Sequence, residues 1–418
     1  MVPSDEDMAD DSATSPPSVW RDPSLRALVA SRFVSMTGTQ MTWVALPWFV
    51  LTTTGSPIKM TIVLFAEFVP FAVFGLTAGA LVDRIDMKRL MVAADLVSMV
   101  VIATLPTLFA LGKLQYWMIV AGSALIGAVN APSMAAHKAI VPDIVGEDEG
   151  SLTAGNTAIQ IAQQITTMTG PVLAGVLIGV LGNANLLFID AGSYAISAVI
   201  VGFGVHVARP HPTPVPGHLI AQTMEGLRYL WNNRLLRVAV AYVVMLVFAF
   251  AGIIDAALPV FVHSTLHSGA GGLAVLLASW GLGSMAGMTV YGSLARRLPL
   301  SRGATVLALG AGLAAPMWIP PLTRALVPSA VAFFIAGASD GPLTIVLHTM
   351  QMTETTAEVR GRVIAAFQAL FMLAAPLGVA LAGPFLEAYG AVPWMFAMAA
   401  VFTAAALLAF ASPTLRRA

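Results

Sequence analysis

Residues 57–82 read PIKMTIVLFAEFVPFAVFGLTAGALV, and Asp83-Arg84-Ile85-Asp86-Met87-Lys88-Arg89 follows at once, before a second apolar run, Leu90–Leu111. A helix rises about 1.5 Å per residue, so about 20 apolar residues cross the hydrocarbon core of a bilayer. The first run exceeds that length with only Lys59 and Glu67 charged, and a dense charge cluster closes it. A transmembrane β-strand would instead show short alternating segments.

The same alternation runs along the whole chain. Twelve apolar runs are predicted as membrane-spanning helices: Leu25–Leu51, Pro57–Val82, Leu90–Leu111, Tyr116–Val141, Ser151–Leu181, Leu186–Val207, Leu236–Val262, Gly272–Ala295, Ala304–Pro321, Val327–Met350, Val363–Leu386 and Pro393–Ala411. Composition agrees. The 418 residues are 58% apolar and 10% charged, with mean hydropathy +0.83, against about 45–50% and about 25% for a soluble domain. Such a surface excludes a soluble enzyme, a nucleic-acid binder and a disordered chain. There is no cysteine, hence no disulfide, thiolate metal site or Cys nucleophile.

The basic residues test this parse. With the N-terminus in the cytoplasm, 18 of the 21 Lys and Arg fall on the cytoplasmic side, and only Lys59, Lys113 and Arg324 fall outside. The positive-inside rule expects that bias, and an odd number of spans would scramble it. Residues 1–24, with Asp5, Glu6, Asp7, Asp10 and Asp11, are read as a disordered cytoplasmic tail. They carry no basic n-region and no cleavage site, so the first span is expected to act as its own insertion signal. Residues 25–207 and 236–411 form two six-helix halves, and 412–418 a second cytoplasmic tail. The linker, 208–235, opens on the stiff Arg209-Pro210-His211-Pro212-Thr213-Pro214-Val215-Pro216-Gly217. It continues with an amphipathic stretch, Ala221–Asn232, expected to lie along the membrane surface.

The halves echo one another. Gly79-Ala80-Leu81-Val82-Asp83-Arg84 closes span 2, and Gly292-Ser293-Leu294-Ala295-Arg296-Arg297 closes span 8. Gly127-Ala128-Val129-Asn130-Ala131-Pro132 in span 4 is matched by Gly337-Ala338-Ser339-Asp340-Gly341-Pro342 in span 10. Repeated halves put a substrate path near mid-membrane, at their interface.

The loop Gly79-x-Leu81-x-Asp83-Arg84-x-x-x-Lys88-Arg89 resembles the signature loop of the major facilitator superfamily, over about Leu25–Ala411. It departs at Asp86, where the family usually has Gly. Gly170-Pro171-Val172-Leu173-Ala174-Gly175 resembles the glycine–proline motif of proton-driven antiporters, with Thr166 and Ala174 in place of two glycines. Arg360-Gly361-Arg362-Val363 is similar to the span 10–11 loop of a bacterial exporter subgroup. The family's span-4 arginine is missing: no Arg lies between Lys113 and Arg209. The resemblance implies an all-α membrane protein, with twelve transmembrane helices in two pseudo-symmetric six-helix bundles. It further implies a monomer in a bacterial plasma membrane that exports drugs or siderophores, with small molecules, protons and the lipid bilayer as its partners. Arg outnumbers Lys 17 to 4, which suits a high-GC bacterium. Gly79, Asp83, Arg84, Lys88 and Arg89 would then form a gating latch, with Asp83 accepting hydrogen bonds from the start of span 11. The plain alternative is a solvated charge cluster that fixes topology.

A charge in mid-membrane costs about 2.5–3.5 kcal/mol on insertion scales and needs a cavity or a partner. Glu67 in span 2, Asp255 in span 7, Asp340 in span 10 and Arg32 in span 1 qualify. A buried carboxyl can load and release a proton near neutral pH, so these four are the candidate proton-coupling or substrate groups, Glu67 first. The alternatives are a salt bridge from Glu67 to Arg32, a pore-mouth position for Asp255 and a helix–helix hydrogen bond for Asp340. Asp95 and Asp190 are expected near helix ends, solvated or capping, and His263 in a loop. Trp43, Trp48, Phe68, Phe71, Met245, Trp280 and Phe367 are candidate linings of an apolar cavity; the alternative is lipid contact. No phosphate-binding loop, metal-ligand spacing or nucleophile elbow occurs, so no cofactor and no enzyme activity are expected. The functional alternatives are export of an endogenous metabolite, and a membrane sensor or scaffold without flux.

Overall fold

The computed structural model describes residues 22–82, 85–146, 148–206, 219–294, 301–353 and 357–413, and they are almost entirely helical. The first half comprises α1 (Pro23–Thr54), α2 (Pro57–Val82), α3 (Met87–Ala110), α4 (Tyr116–Ala139), the short α5 (Val141–Val145), α6 (Glu149–Leu181) and α7 (Asn183–Gly204). The linker contributes α8 (Leu219–Asn232). The second half begins with α9 (Arg234–Ala251), which runs on through a π-turn (Gly252–Ala257), α10 (Leu258–Val260) and a second π-turn (Phe261–Thr265). Then come α11 (Ala270–Leu294), α12 (Arg302–Ala314), a 3₁₀ turn (Ala315–Trp318), α13 (Ile319–Thr323), α14 (Leu326–Thr353), α15 (Ala357–Tyr389) and α16 (Ala391–Ala411).

Among the described residues, eleven segments are long and apolar enough to cross a membrane. With the 32-residue α1, they match the twelve expected spans. Large apolar side chains face outward as lipid contact requires: Phe203 is 80% exposed and Val180 76%. Alternate helices run in opposite directions, so the start of α1 and the end of α16 lie at one face, here the termini face. Helices starting there carry N-caps. Asp22 accepts from the Ser24 and Leu25 amides, Asp148 from Ser151, Asn233 from Leu235 and Leu236, and Ser301 from Ala304. Each satisfies amides that have no intrahelical partner. Asp86, where the signature loop usually has Gly, does the same for α3: its Oδ1 accepts from the Arg89 amide at 2.9 Å.

In each half a span-2-type helix and a span-4-type helix pack backbone to backbone. A Cβ on Gly127 of α4 would strike the Glu67 carbonyl of α2, and one on Gly337 of α14 would strike the Trp280 carbonyl of α11. Gly283 and Gly287 of α11 likewise abut Phe334 and Ala338, the small-xxx-small packing of membrane helices. The two glycine–proline sequence repeats thus occupy equivalent contacts in the two halves.

Between the halves, α2 packs on α15 and α6 on α11. Their contacts concentrate at the face opposite the termini. Gly175 of α6 meets Ala274 of α11, Gly383 of α15 meets Thr61 of α2, and Trp48 stands edge-on to His263 with ring centroids 5.7 Å apart. The Glu387 carboxylate at the end of α15 accepts from Ser56 Oγ at 2.9 Å and from the Ile58 amide at 3.1 Å. One half therefore caps a helix of the other.

Candidate functional site

Glu67 lies ten residues into α2, about 15 Å along its axis and so near mid-membrane. Leu64 and Phe68 flank it on one helical face, where they pack with Ala251, Ala375 and Val379 of the second half. Glu67 is half-buried, with Asp190 and Asp255 as its acidic electrostatic neighbours. The Trp43 indole N–H donates to its carboxylate. Trp43 and Phe68 pack edge to face, centroids 6.1 Å apart, so an acid and two aromatic rings share one spot.

The second half builds a related group. The Trp280 indole donates to Asp340, while the Trp280 ring packs edge-on against Phe250 at 5.2 Å and Phe333 at 6.0 Å. Asp255 is half-buried in the first π-turn of span 7. There the Gly252 carbonyl also accepts from Trp394 Nε1, at 2.9 Å. Such turns inside α-helices recur at functional sites. Phe71, Met245 and Phe367 are half-buried. Trp48 is 5% exposed and packed within the core, where it meets His263. His263 sits in the second π-turn, not in a loop.

Arg32 does not pair with Glu67. Its electrostatic neighbours are Asp95 of α3 and Tyr194 of α7. Asp95 and Asp190, expected at solvated helix ends, are 4% and 1% exposed. Ser197 Oγ donates to Asp95 at 2.6 Å, and Thr42 Oγ1 to Asp190 at 2.5 Å. Tyr194 joins Thr39 at 2.9 Å and also bonds Asn130. A polar network thus fills the middle of the first half. The sequence reading missed it because α3 and α7 each begin three residues earlier than predicted, nearly a full turn.

One further feature escaped the sequence reading. Glu149, Thr153, Asn156, Thr157, Gln160 and Gln164 of α6 share one face and line a recess of about 670 Å³ toward the termini face, with Leu152 and Ile161. The signal was their three- and four-residue spacing within an otherwise apolar run. Of the latch, Lys88 is half-buried and Arg89 exposed, Gly79 lies within α2, and Asp83 and Arg84 lie outside the described residues, as does Arg296. Of the antiporter motif, Gly170 abuts Gln40 of α1 and Gly175 abuts α11, with Pro171 inside α6 between them. His348 is exposed. Among the described residues no group of acids and histidines is disposed to hold a metal ion.

The Major Facilitator Superfamily profile matches residues 28–379. The chain belongs to the Major Facilitator Superfamily. It is a membrane transporter of that superfamily, not an enzyme. It is 28% identical over 408 residues to the multidrug efflux pump Tap of Mycobacterium tuberculosis, covering 95% of this chain and 94% of that protein. It is 23% identical over 373 residues to macrolide efflux protein A of Streptococcus pyogenes, covering 87% and 90%. In fold it is similar to the nucleoside transporter NupG, with TM-score 0.73, 12% identity and coverage of 93% of this chain and 97% of that one. It is also similar to a bacterial homologue of the human lysosomal transporter Spinster, solved in an inward-facing, unoccupied conformation. There the TM-score is 0.69, with 13% identity and coverage of 94% and 97%.

Proposed function

We propose that this superfamily member exports hydrophobic or cationic small molecules from a bacterial cell in exchange for protons. Both chain ends lie in the cytoplasm, and the halves rock about a central site. The observation that carries the reading is Glu67: a mid-membrane carboxyl at the seam between the halves, held by an indole and flanked by an aromatic ring. A lipophilic cation suits that spot, with its charge on the carboxylate and its body on Trp43 and Phe68. Proton and cargo then compete for one acid, so loading either releases the other. Asp255 is an electrostatic neighbour of Glu67, and Asp340, bonded to the Trp280 indole, is the mid-membrane acid of span 10, so both belong to the same pathway. Arg32 holds the first half together. With the termini inside, the far-face contacts shut the external side and the α6 recess opens inward. The relatives named for multidrug and macrolide efflux favour export over uptake.

The test is Glu67→Gln in energised everted vesicles, assayed with a panel of dyes and antibiotics with and without an uncoupler. Uncoupler-sensitive extrusion should vanish while the protein stays in the membrane; unchanged extrusion overturns the reading. A second reading, export of a polar endogenous metabolite, draws on the amides and hydroxyls of Asn156, Thr157, Gln160 and Gln164. Loss of polar-substrate transport, with dye extrusion absent from the wild type, would favour it.

A further inference from the structure

Among the described residues, Asp190 is the most completely buried carboxylate of the first half, and its hydrogen-bond count does not close if it is charged. Ser193 Oγ lies 2.8 Å from the Asp190 carbonyl and 3.1 Å from its Oδ1. A serine hydroxyl has one hydrogen. If that hydrogen goes to the carbonyl, the shorter contact, then Oδ1 faces a bare lone pair. The contact becomes a hydrogen bond when Oδ1 itself carries a proton. Oδ2 is served separately, by Thr42 Oγ1. Every short contact around a neutral Asp190 is thereby satisfied, whereas an ionised Asp190 would be a buried charge held by little more than one hydroxyl.

The charged surroundings do not rescue the anion. On its own helix the nearest titratable group is the Tyr194 hydroxyl, whose hydrogen bonds go to Thr39 and Asn130. From α2 comes Glu67, another acid. From α1 comes Arg32, whose electrostatic neighbours are Tyr194 and Asp95. From α3 comes Asp95 itself, bonded to Ser197, two turns along α7 from Asp190. Among the described residues no cation is paired with Asp190. The backbone makes room for the group: a Cβ on Gly38 of α1 would collide with Asp190 Oδ1 and Ser193 Oγ.

We propose that Asp190 is a second proton carrier of the transport cycle, joined to Glu67 through Thr42 and Trp43. These two residues are adjacent on α1; one grips Asp190 and the other grips Glu67. A rotation or shift of that turn as Glu67 exchanges its proton for cargo alters the hold on Asp190. The step moves protons only. Asp190 Oδ1 gains one from the aqueous pathway when Thr42 and Ser193 enclose it, and returns it when they part. The inference rests on the coupling role given to Glu67, and the experiment separates the two.

Infrared difference spectra of the full chain in liposomes, acid minus neutral, detect protonated carboxyls and need no transported compound. Asp190→Asn should remove one component of the carboxyl band. Thr42→Val deletes the donor to the C=O oxygen and should move that component to higher frequency. An Asp190→Asn band superposable on the wild type overturns the proposal. Should that variant misfold, an unmoved band in Thr42→Val does so. Ethidium extrusion from everted vesicles is the second arm. Asn at 190 mimics the protonated acid, so pH-gradient-driven extrusion should be lost while ethidium exchange without a gradient persists, a split that a merely structural role would not produce. Driven extrusion lost in Glu67→Gln but of wild-type pH dependence in Asp190→Asn overturns the role of Asp190 and spares that of Glu67. Extrusion unchanged in Glu67→Gln overturns the Glu67 reading, and the infrared component then tests Asp190 alone.

Discussion

The two halves solve the same packing problem and finish it with different chemistry. Gly127 lies against the Glu67 carbonyl, Gly337 against the Trp280 carbonyl, and Asn130 and Asp340 each follow three residues later. Where the first half offers an acid on span 2 and an amide on span 4, the second offers an indole on span 8 and an acid on span 10. Around these points the first half is cross-linked by polar side chains: Arg32, Asp95, Ser197, Asp190, Thr42 and Tyr194. The second half has instead two π-turns in span 7 and a 3₁₀ turn in span 9. Such interruptions trade regular hydrogen bonds for local freedom. The contrast suggests a stiff half that stores charge, working against a pliant half that moves.

Ways to break that comparison run from gross to subtle. Leu at either Gly127 or Gly337 pushes a branched side chain into a carbonyl of the facing helix, and both variants should fail to yield monodisperse protein by size exclusion; tolerance of one alone would end the claim of equivalence. Next, Glu67→Gln should abolish uncoupler-sensitive dye extrusion while Asp340→Asn only reduces it; equal losses would place coupling in both halves. Arg32→Gln removes the cation that is the electrostatic neighbour of Asp95, leaving any charge on that buried carboxylate uncompensated. The melting temperature in detergent should fall, and adding Asp95→Asn should recover part of it. The smallest effect belongs to Glu387→Gln. It weakens the acceptor of two hydrogen bonds between the halves, about 1 kcal/mol each at most, and should raise the population open on the far face in distance measurements between spin labels.

The spans, their number and the repeat of the halves were legible in the sequence. Hydropathy is a sum over twenty residues and tolerates errors at the ends. The individual carboxyls were less so. A three-residue error at the start of α3 and α7 sufficed to turn Asp95 and Asp190 from core groups into apparent end groups, because one helical turn separates the two environments. Asp86 looked like a departure from a family pattern, but its side chain is an N-cap, a role that depends on the helix starting at Met87. Trp48 looked like Trp43 in composition and setting. Which one meets an acid and which one is packed away depends on rotation about α1, a quantity that an all-round apolar helix does not write into its sequence.

The cap that Glu387 places on α2 gives the transport cycle a natural clock. The Ile58 amide is hydrogen-bonded while the far-face contacts hold and is released to exchange when they part. Its deuterium uptake, followed peptide by peptide in a mass spectrometer, would count openings of the empty protein without any cargo at all.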